Sequence, residues 1–429
     1  MQLKRIEANS EELKLYLDAS SADIKNYEAR VAEIASKIRE QGEQAIFELS
    51  KKYDNADINN DNFQVSMAEM EKAYENVELE YIKSLSKAIK NIRSFHAKQL
   101  RTSWMDLDDK GNITGQIFRP LERVGIYVPG GSAAYPSSVL MNAIPAQIAG
   151  VEQIAMVSPP DPDGGMNPYT LVAASELGIS EIYKVGGAQA VFALAWGTDT
   201  IKKVDLISGP GNIYVTLAKK LVYGDVDIDM LAGPSEILIV ADEKADPGYL
   251  AADLLSQAEH DVLARSILVC HDRDLLDRVE KELSLQIPKL SRRDIIIKAL
   301  RSNGVFIVTE NVQHSCEVAN LIAPEHMELM LEDPFAHLYL IKNAGAIFMG
   351  SHTPEPVGDY YAGPNHILPT GGTARFYSPV TVDIFRKASN LIYYSQKGLE
   401  AGAQDIVNLA TVEGLTAHAN SVKIRLERQ

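Results

Sequence analysis

The stretch "LLSQAEHDVLARSILV", residues 254–269, opens with apolar residues at helical spacing and closes in an unbroken apolar run. A helix that feeds directly into a buried strand is the building unit of α/β folds. At the changeover stand an amide and an imidazole, Gln257 and His260, three residues apart and so on one helix face. The same texture extends outward in both directions. From about Ile117, short apolar runs alternate with helical segments: "VGIYVP", "QIAMVSPP", "EIYKVGG" and "VDLISGPG", then, after Ala232, "EILIVAD", "SILVCHD", "GVFIVT" and "LYLIKNAGAIFMG". This alternation predicts mostly parallel sheets covered on both faces.

Glycine and proline cluster beside these runs, at "VPGGSAAYP", "VGGAQ", "SGPGN" and "AGPSE". Each taken alone is a strand-to-helix turn that needs positive φ. Together, at the expected carboxyl ends of strands, they favour a phosphate or dinucleotide site of unusual form, because no G-x-G-x-x-G is present. Asn212 in "SGPGN" begins a helix. Upstream, residues 21–54 read as one long helix, with Val31, Ile34 and Ile38 at helical spacing, and 68–99 as a second. From about Pro379 the strand pattern gives way to a helical tail.

Composition limits the setting. A chain of 429 residues holds a large core in roughly three domains, or two with appendages. With 42 Lys and Arg against 58 Asp and Glu, the net charge of −16 repels nucleic acid and anionic membranes. The first twenty residues lack a secretory h-region, and no run approaches the ~18 apolar residues of a membrane span. Two cysteines make no disulfide framework. A soluble, cytoplasmic protein is expected.

The nine histidines can be weighed one at a time. His260 follows Gln257; "LIAPEHMEL" sets Glu325 beside His326 after a helix-breaking proline; "PEPVGDYYAGPNHILPTGGTARF" holds Asp359 and His366 in a Gly/Pro-rich loop; "EGLTAHANSV" holds Glu413 and His418. Singly, each is as readily a capped turn or a hydrogen-bonded surface group. As a set, one amide, two imidazoles and a carboxylate suit Zn²⁺ or Mn²⁺. Cys270, ending "SILVC", and Cys316, in "VQHSCEVANLI", read as small core residues rather than nucleophiles.

The ordered series "LERVGIYVPGG", "KVGGAQAV", "SGPGNIYVT", "LAGPSEILIVAD", "LLSQAEHD", "APEHMEL", "VGDYYAGPNHILPT" and "EGLTAHANSV", from about Leu121 to Val422, resembles the histidinol dehydrogenase family. The resemblance implies oxidation of L-histidinol to L-histidine through bound L-histidinaldehyde with two NAD⁺, the last step of histidine biosynthesis, and one Zn²⁺ per subunit. It implies two α/β/α domains similar to those of aldehyde dehydrogenases, of incomplete Rossmann type, with small helical terminal pieces, in an intertwined homodimer with shared active sites. The expected division is an arm over 1–22, a discontinuous zinc and substrate domain over 23–120 and 236–378, an inserted NAD domain over 121–235, and a dimer-crossing helical tail over 379–429.

Residue by residue, the resemblance implies Gln257, His260, Asp359 and His418 as zinc ligands, and Glu325 and His326 as catalytic. The same resemblance gives Ser235, Gln257, His260, Glu325, His326, Asp359, Glu413 and His418 as substrate contacts, with His366 a further one. It implies Tyr127, Gln189 and Asn212 as NAD contacts. His326, titrating near neutrality, suits the base that takes the alcohol proton, and Glu325 the group that activates water for aldehyde hydration. Three other readings compete: a cysteine-dependent aldehyde dehydrogenase, a zinc hydrolase and a non-catalytic binding module.

Overall fold

The computed structural model describes residues 3–18, 25–130 and 135–427. They fall into two compact units, Met1–Gln99 with Leu121–Phe385, and Leu100–Pro120 with Arg386–Gln429.

Two parallel sheets organise the first unit. The larger runs Lys4–Glu7, Val305–Val308, Arg265–Cys270, Glu236–Ala241, His326–Met330, Ala346–Met349, every neighbouring pair parallel. Pleating splits each strand between two cores: Ile237, Ile239 and Ala241 pack with Leu250, Leu254 and Leu275, while Leu238 and Val240 pack with Cys316, Ala319 and Ile6. Burial on both faces is why these strands read as continuous apolar runs. The smaller sheet runs Glu181–Lys184, Gln153–Ser158, Arg123–Tyr127, Leu206–Ser208, Asp227–Ile228, again all parallel. Its cores likewise separate, Val124 and Ile126 on one face and Tyr127, Ala155 and Val157 on the other. In the smaller sheet the first strand in chain order, Arg123–Tyr127, is central and the chain grows outward from it in two directions; the larger sheet grows in the same way from Glu236–Ala241, with Lys4–Glu7 added at one edge. This makes a topological switch point between Arg123–Tyr127 and Leu206–Ser208, and another between Glu236–Ala241 and His326–Met330.

Several expectations are corrected. The helix expected over 21–54 is two, Lys25–Gln41 and Glu43–Tyr53, parted at Gly42 with φ 57°; residues 21–24 lie outside the described ones. That over 68–99 is also two, Met67–Glu75 with a Ser66/Glu69 capping box and Leu79–His96. These helices, grouped from sequence with 236–378, pack instead on the smaller sheet: Val31, Ile34 and Ile38 join the core of Val157, and Met70, Leu85 and Ile92 that of Val124. The amino-terminal arm is in part a sheet strand, since Lys4–Glu7 pairs with Val305–Val308.

The second unit overturns the expectation of a wholly helical tail. Arg386–Tyr393 is a strand, antiparallel to Ile113–Pro120, which pairs in turn with Trp104–Leu107. Helices Gln396–Val412, capped by Ser395, and Thr416–Glu427 follow. Among the described residues no helix is long and apolar enough to cross a membrane.

Candidate active site

Helix Pro247–Ala258 starts at Asp246, whose side chain caps the first turn, with Pro247 behind it. Its apolar stripe faces the larger sheet and carries Asp253 and Gln257, one turn apart, into the interior. Gln257 is fully buried, and neither its amide oxygen nor its nitrogen has a hydrogen-bond partner among the described residues. The helix ends at Ala258, so His260 lies just past it rather than on it. Its N–H still bonds the Gln257 carbonyl at 3.2 Å, which keeps the two side chains together.

Helix Val312–Ile322 stops at Ala323, left-handed at φ 53°, with Pro324 behind it. Glu325 and His326 therefore arrive at the amino end of strand His326–Met330, beside Ser235 at the amino end of Glu236–Ala241. This corrects the expectation that "AGPSE" follows a strand of its sheet and marks a carboxyl-end site. The Glu325 carboxylate accepts the Glu236 N–H at 2.9 Å. Burial, aided by Glu236 and Asp359, pushes its pKa well above the usual carboxylate range. Glu236 beneath it is neutralised by Arg265 at 3.0 Å.

His326 is buried, with Nδ1 3.2 Å from the Glu236 carbonyl and Nε2 without a partner among the described residues, 3.9 Å from Asp359. A carbonyl can only accept, so Nδ1 carries the proton and Nε2 presents its lone pair. Burial pulls the imidazole pKa down to about 4 against the pull of Asp359, so the ring is neutral at pH 7 and, contrary to the expectation from sequence, does not titrate near neutrality; Nε2 is open to accept a proton but is a weaker base than a free imidazole.

The third wall is Glu355–Val357, a single helical turn, continued by a π-type turn over Gly358–Ala362 that carries Asp359. Asp359 thus lies in a wide helical turn rather than a loop. His366 turns back to it, Nδ1 3.1 Å from the Asp359 carbonyl. One oxygen of Glu355, one of Asp359 and a ring nitrogen of His260 lie within 4.8 Å of one another, a spacing that suits ligands of a single cation. The fit with a divalent metal rests on chemistry as well as spacing. The buried Gln257 amide and both buried Glu355 oxygens are orphaned among the described residues, and groups in that state are costly unless something cationic satisfies them. Glu355 escaped the sequence reading; its only signal was its place four residues before Asp359.

The residues expected to hold NAD gather elsewhere, at the carboxyl edge of the smaller sheet. Tyr127 ends strand Arg123–Tyr127, and its phenol oxygen accepts the Gly187 N–H at 3.0 Å. Gln189 is buried in the first turn of helix Gly187–Trp196. Asn212 caps helix Ile213–Val222 through the N–H groups of Tyr214 and Val215, as its place in "SGPGN" predicts. The turn before it lies tight on Tyr127: Gly209 has φ 126°, and a Cβ there would stand 2.1 Å from the Tyr127 carbonyl oxygen. Buried Asp229 holds that turn, accepting the Gly209 N–H at 2.7 Å and pairing with buried Lys219. Residues 131–134 of "VPGGSAAYP" lie outside the described ones.

Glu413 and His418 belong to the second unit, at the end of helix Gln396–Val412 and in the first turn of Thr416–Glu427, both exposed. Cys270 and Cys316 are fully buried, and burial raises both thiols to about 11. Neither is poised as a thiolate.

The histidinol dehydrogenase family model matches residues 17–426. A histidinol dehydrogenase of Heliobacterium mobile is 55% identical over 96% of this chain and 97% of its own. That of Carboxydothermus hydrogenoformans is 52% identical over 98% and 99%. The crystal structure of histidinol dehydrogenase from Elizabethkingia anophelis superposes with a TM-score of 0.92 at 37% identity, covering 99% of this chain and 98% of that one. An acetylating aldehyde dehydrogenase from Geobacillus thermoglucosidasius shares the fold alone, with a TM-score of 0.50 at 14% identity over 90% of this chain and 97% of its own. With a family model spanning nearly the whole chain and relatives above half identity, the protein belongs to the histidinol dehydrogenase family.

Proposed function

We propose that this histidinol dehydrogenase is a zinc-dependent, NAD⁺-linked, four-electron enzyme that oxidises L-histidinol through bound L-histidinaldehyde to L-histidine in the cytoplasm. The observation that carries the reading is His326: a neutral imidazole, anchored through Nδ1, which lies 3.7 Å from Glu325, with the Nε2 lone pair unpartnered among the described residues and 3.9 Å from Asp359. In the first oxidation Nε2 takes the proton of the substrate hydroxyl as hydride leaves the adjacent carbon for the nicotinamide. In the second, Glu325 removes a proton from the water that adds to the aldehyde. A raised pKa makes its carboxylate the stronger base, and His326 then takes the hydrate proton as the second hydride leaves.

Gln257, His260 and Asp359 would hold the zinc, with His418 as fourth ligand, and the metal would supply a Lewis-acid anchor for the substrate's imidazole and amino nitrogens. Ser235 and Glu413 complete the substrate contacts, with His366 against Asp359. NAD⁺, the hydride acceptor, would lie at the switch point of the smaller sheet, against Tyr127, Gln189, Asn212 and two helix amino termini.

His418 and Glu413 are supplied, in this reading, by the second subunit of a homodimer. Support comes from the apolar surface of their unit: Ile392 is 73% exposed, Leu409 69% and Val412 89%, which is unusual for so many large apolar side chains in a small piece of chain. The test of the whole reading is NADH formation from L-histidinol with and without a strong chelator. Two NADH per histidinol, abolished by chelation and restored by Zn²⁺, is expected. One NADH with released aldehyde, or full turnover in metal-free protein, would refute it.

A further inference from the structure

We infer that Glu236 is the positioning residue of the catalytic pair: its carboxylate is clamped by Arg265 and a glycine turn so that its main chain holds Glu325 and His326 in place together. The inference rests on the roles given above to those two residues. One residue grips both of them. The Glu236 N–H donates to the Glu325 carboxylate at 2.9 Å, and the Glu236 carbonyl accepts from His326 Nδ1 at 3.2 Å. A shift of Glu236 therefore displaces both groups at once.

The side chain fixes where that main chain stands. Glu236 opens strand Glu236–Ala241, between the strands of Arg265 and His326, and Arg265 stands directly opposite it in the parallel ladder. The carboxylate is fully buried, and both oxygens are used: one accepts from the Arg265 guanidinium at 3.0 Å, the other from the Gly371 N–H at 2.9 Å. Gly371 and Gly372 have φ of 61° and 80°, a turn that aims successive N–H groups at an anion. Burial pushes the Glu236 pKa up, and Arg265 with the N–H groups of Gly371, Glu325 and Gly372 pulls it back. The Arg265 guanidinium lies 4.8 Å over the Tyr16 ring of helix Glu11–Asp18, which helps to screen the pair from water. The Arg265 N–H also bonds the Ser235 carbonyl at 3.0 Å, so the residue before Glu236 is tied down as well.

Stability alone does not call for this arrangement. A buried ion pair is often matched or bettered by apolar side chains of similar volume, whereas its donors and acceptors admit one geometry. The rest of the strand, Ile237 to Ala241, is apolar. Its single carboxylate stands at the end where the catalytic pair meets it.

The experiment follows the two oxidations separately, with L-histidinol and with supplied L-histidinaldehyde, in full-length wild type, Glu236→Gln, Arg265→Met and Arg265→Lys, and records thermal unfolding of each. An amide offers one acceptor where two are needed, so Glu236→Gln keeps the volume and breaks the clamp. The inference expects Glu236→Gln and Arg265→Met to lower kcat of both oxidations by about 10–10²-fold per folded molecule. KM for L-histidinol and for NAD⁺ should stay that of wild type, because the loss falls on the transition state. Arg265→Lys, which restores the charge, should recover part of what Arg265→Met loses. A role in folding alone would lower the melting temperature and leave kcat per folded molecule unchanged, and that result would overturn the inference. A loss confined to aldehyde oxidation, or a raised KM at unchanged kcat, would overturn it too. If Glu236→Gln does not fold, the two Arg265 variants decide by the same criteria. His326→Asn is measured alongside: wild-type turnover in that variant would remove the reading of the catalytic pair, whereas an impaired His326→Asn beside a fully active Glu236→Gln overturns this inference alone.

Discussion

The two parallel sheets of the first unit share the order of five strands, the larger adding Lys4–Glu7 at one edge, and put their candidate sites at opposite ends. In the smaller sheet Tyr127, Gln189 and Asn212 meet at the carboxyl edge, where helix amino termini and glycine turns offer backbone N–H groups. In the larger sheet Ser235, Glu325 and His326 stand at the amino ends of the strands, where helices Pro247–Ala258 and Val312–Ile322 arrive by their carboxyl ends. That end is furnished with buried side chains instead: Gln257, Glu236, Glu325, His326 and Glu355. One edge suits holding a phosphorylated cofactor by backbone geometry. The other suits moving protons and holding a cation by side-chain chemistry, because burial shifts the carboxylates up and the imidazole down. The same topology thus supports two chemistries, according to which end is lined by main chain and which by titratable groups.

If that division holds, each edge can be damaged alone. The largest of three effects is expected from Gly209→Ala, which forces a Cβ against the Tyr127 carbonyl at a positive φ. It should cost about 2–4 kcal/mol of stability and raise KM for NAD⁺, while Zn²⁺ affinity stays that of wild type. Zn²⁺ affinity falling in parallel would show that the edges are not independent.

A smaller effect is expected from Asp54→Asn beside the nucleotide edge. Burial raises the Asp54 pKa from 3.8 to about 6, and its charge bears on Tyr127. The folded-state value lies above the unfolded one, so the favourable contribution is complete below pH 3.8 and is lost as pH rises through about 6. Asp54→Asn should therefore stabilise the protein by about 1 kcal/mol at pH 8, after allowance for partial exposure, and by nothing at pH 4. A gain that is the same at both pH values would assign it to packing. The smallest effect is expected from Cys270→Ala with Cys316→Ala: unchanged kcat and no sensitivity to alkylation, since both thiols are core residues. Loss of the NAD⁺-linked reaction would restore the thiol mechanism.

Much of this division was legible in the chain. Strands buried on both faces, such as Glu236–Ala241 and Arg265–Cys270, announce themselves as apolar runs, and Asn212 after Gly-Pro-Gly marks a helix start. What stayed hidden depends on partners distant in sequence. Strand Arg386–Tyr393 has no alternation because neither face is deeply buried, and it pairs with Ile113–Pro120, some 270 residues earlier. The periodicity of Lys25–Gln41 shows that the helix has an apolar face, not which sheet that face covers. Glu355, between two prolines, looks like a loop carboxylate until the fold buries it beside Asp359. Gln257 drew notice from its place three residues before His260, but its role as a ligand came from the family resemblance, because an amide on a helix is ordinary.

The roles at the amino edge are separated by measuring the two oxidations independently in Glu325→Gln and His326→Asn, with L-histidinol for the first and supplied L-histidinaldehyde for the second. His326→Asn should slow both by about 10²–10⁴-fold, and Glu325→Gln should slow aldehyde oxidation far more than the first hydride transfer. NAD⁺ affinity should be unchanged in each. A His326→Asn enzyme that transfers the first hydride at the wild-type rate would contradict the assignment of proton transfer to this edge.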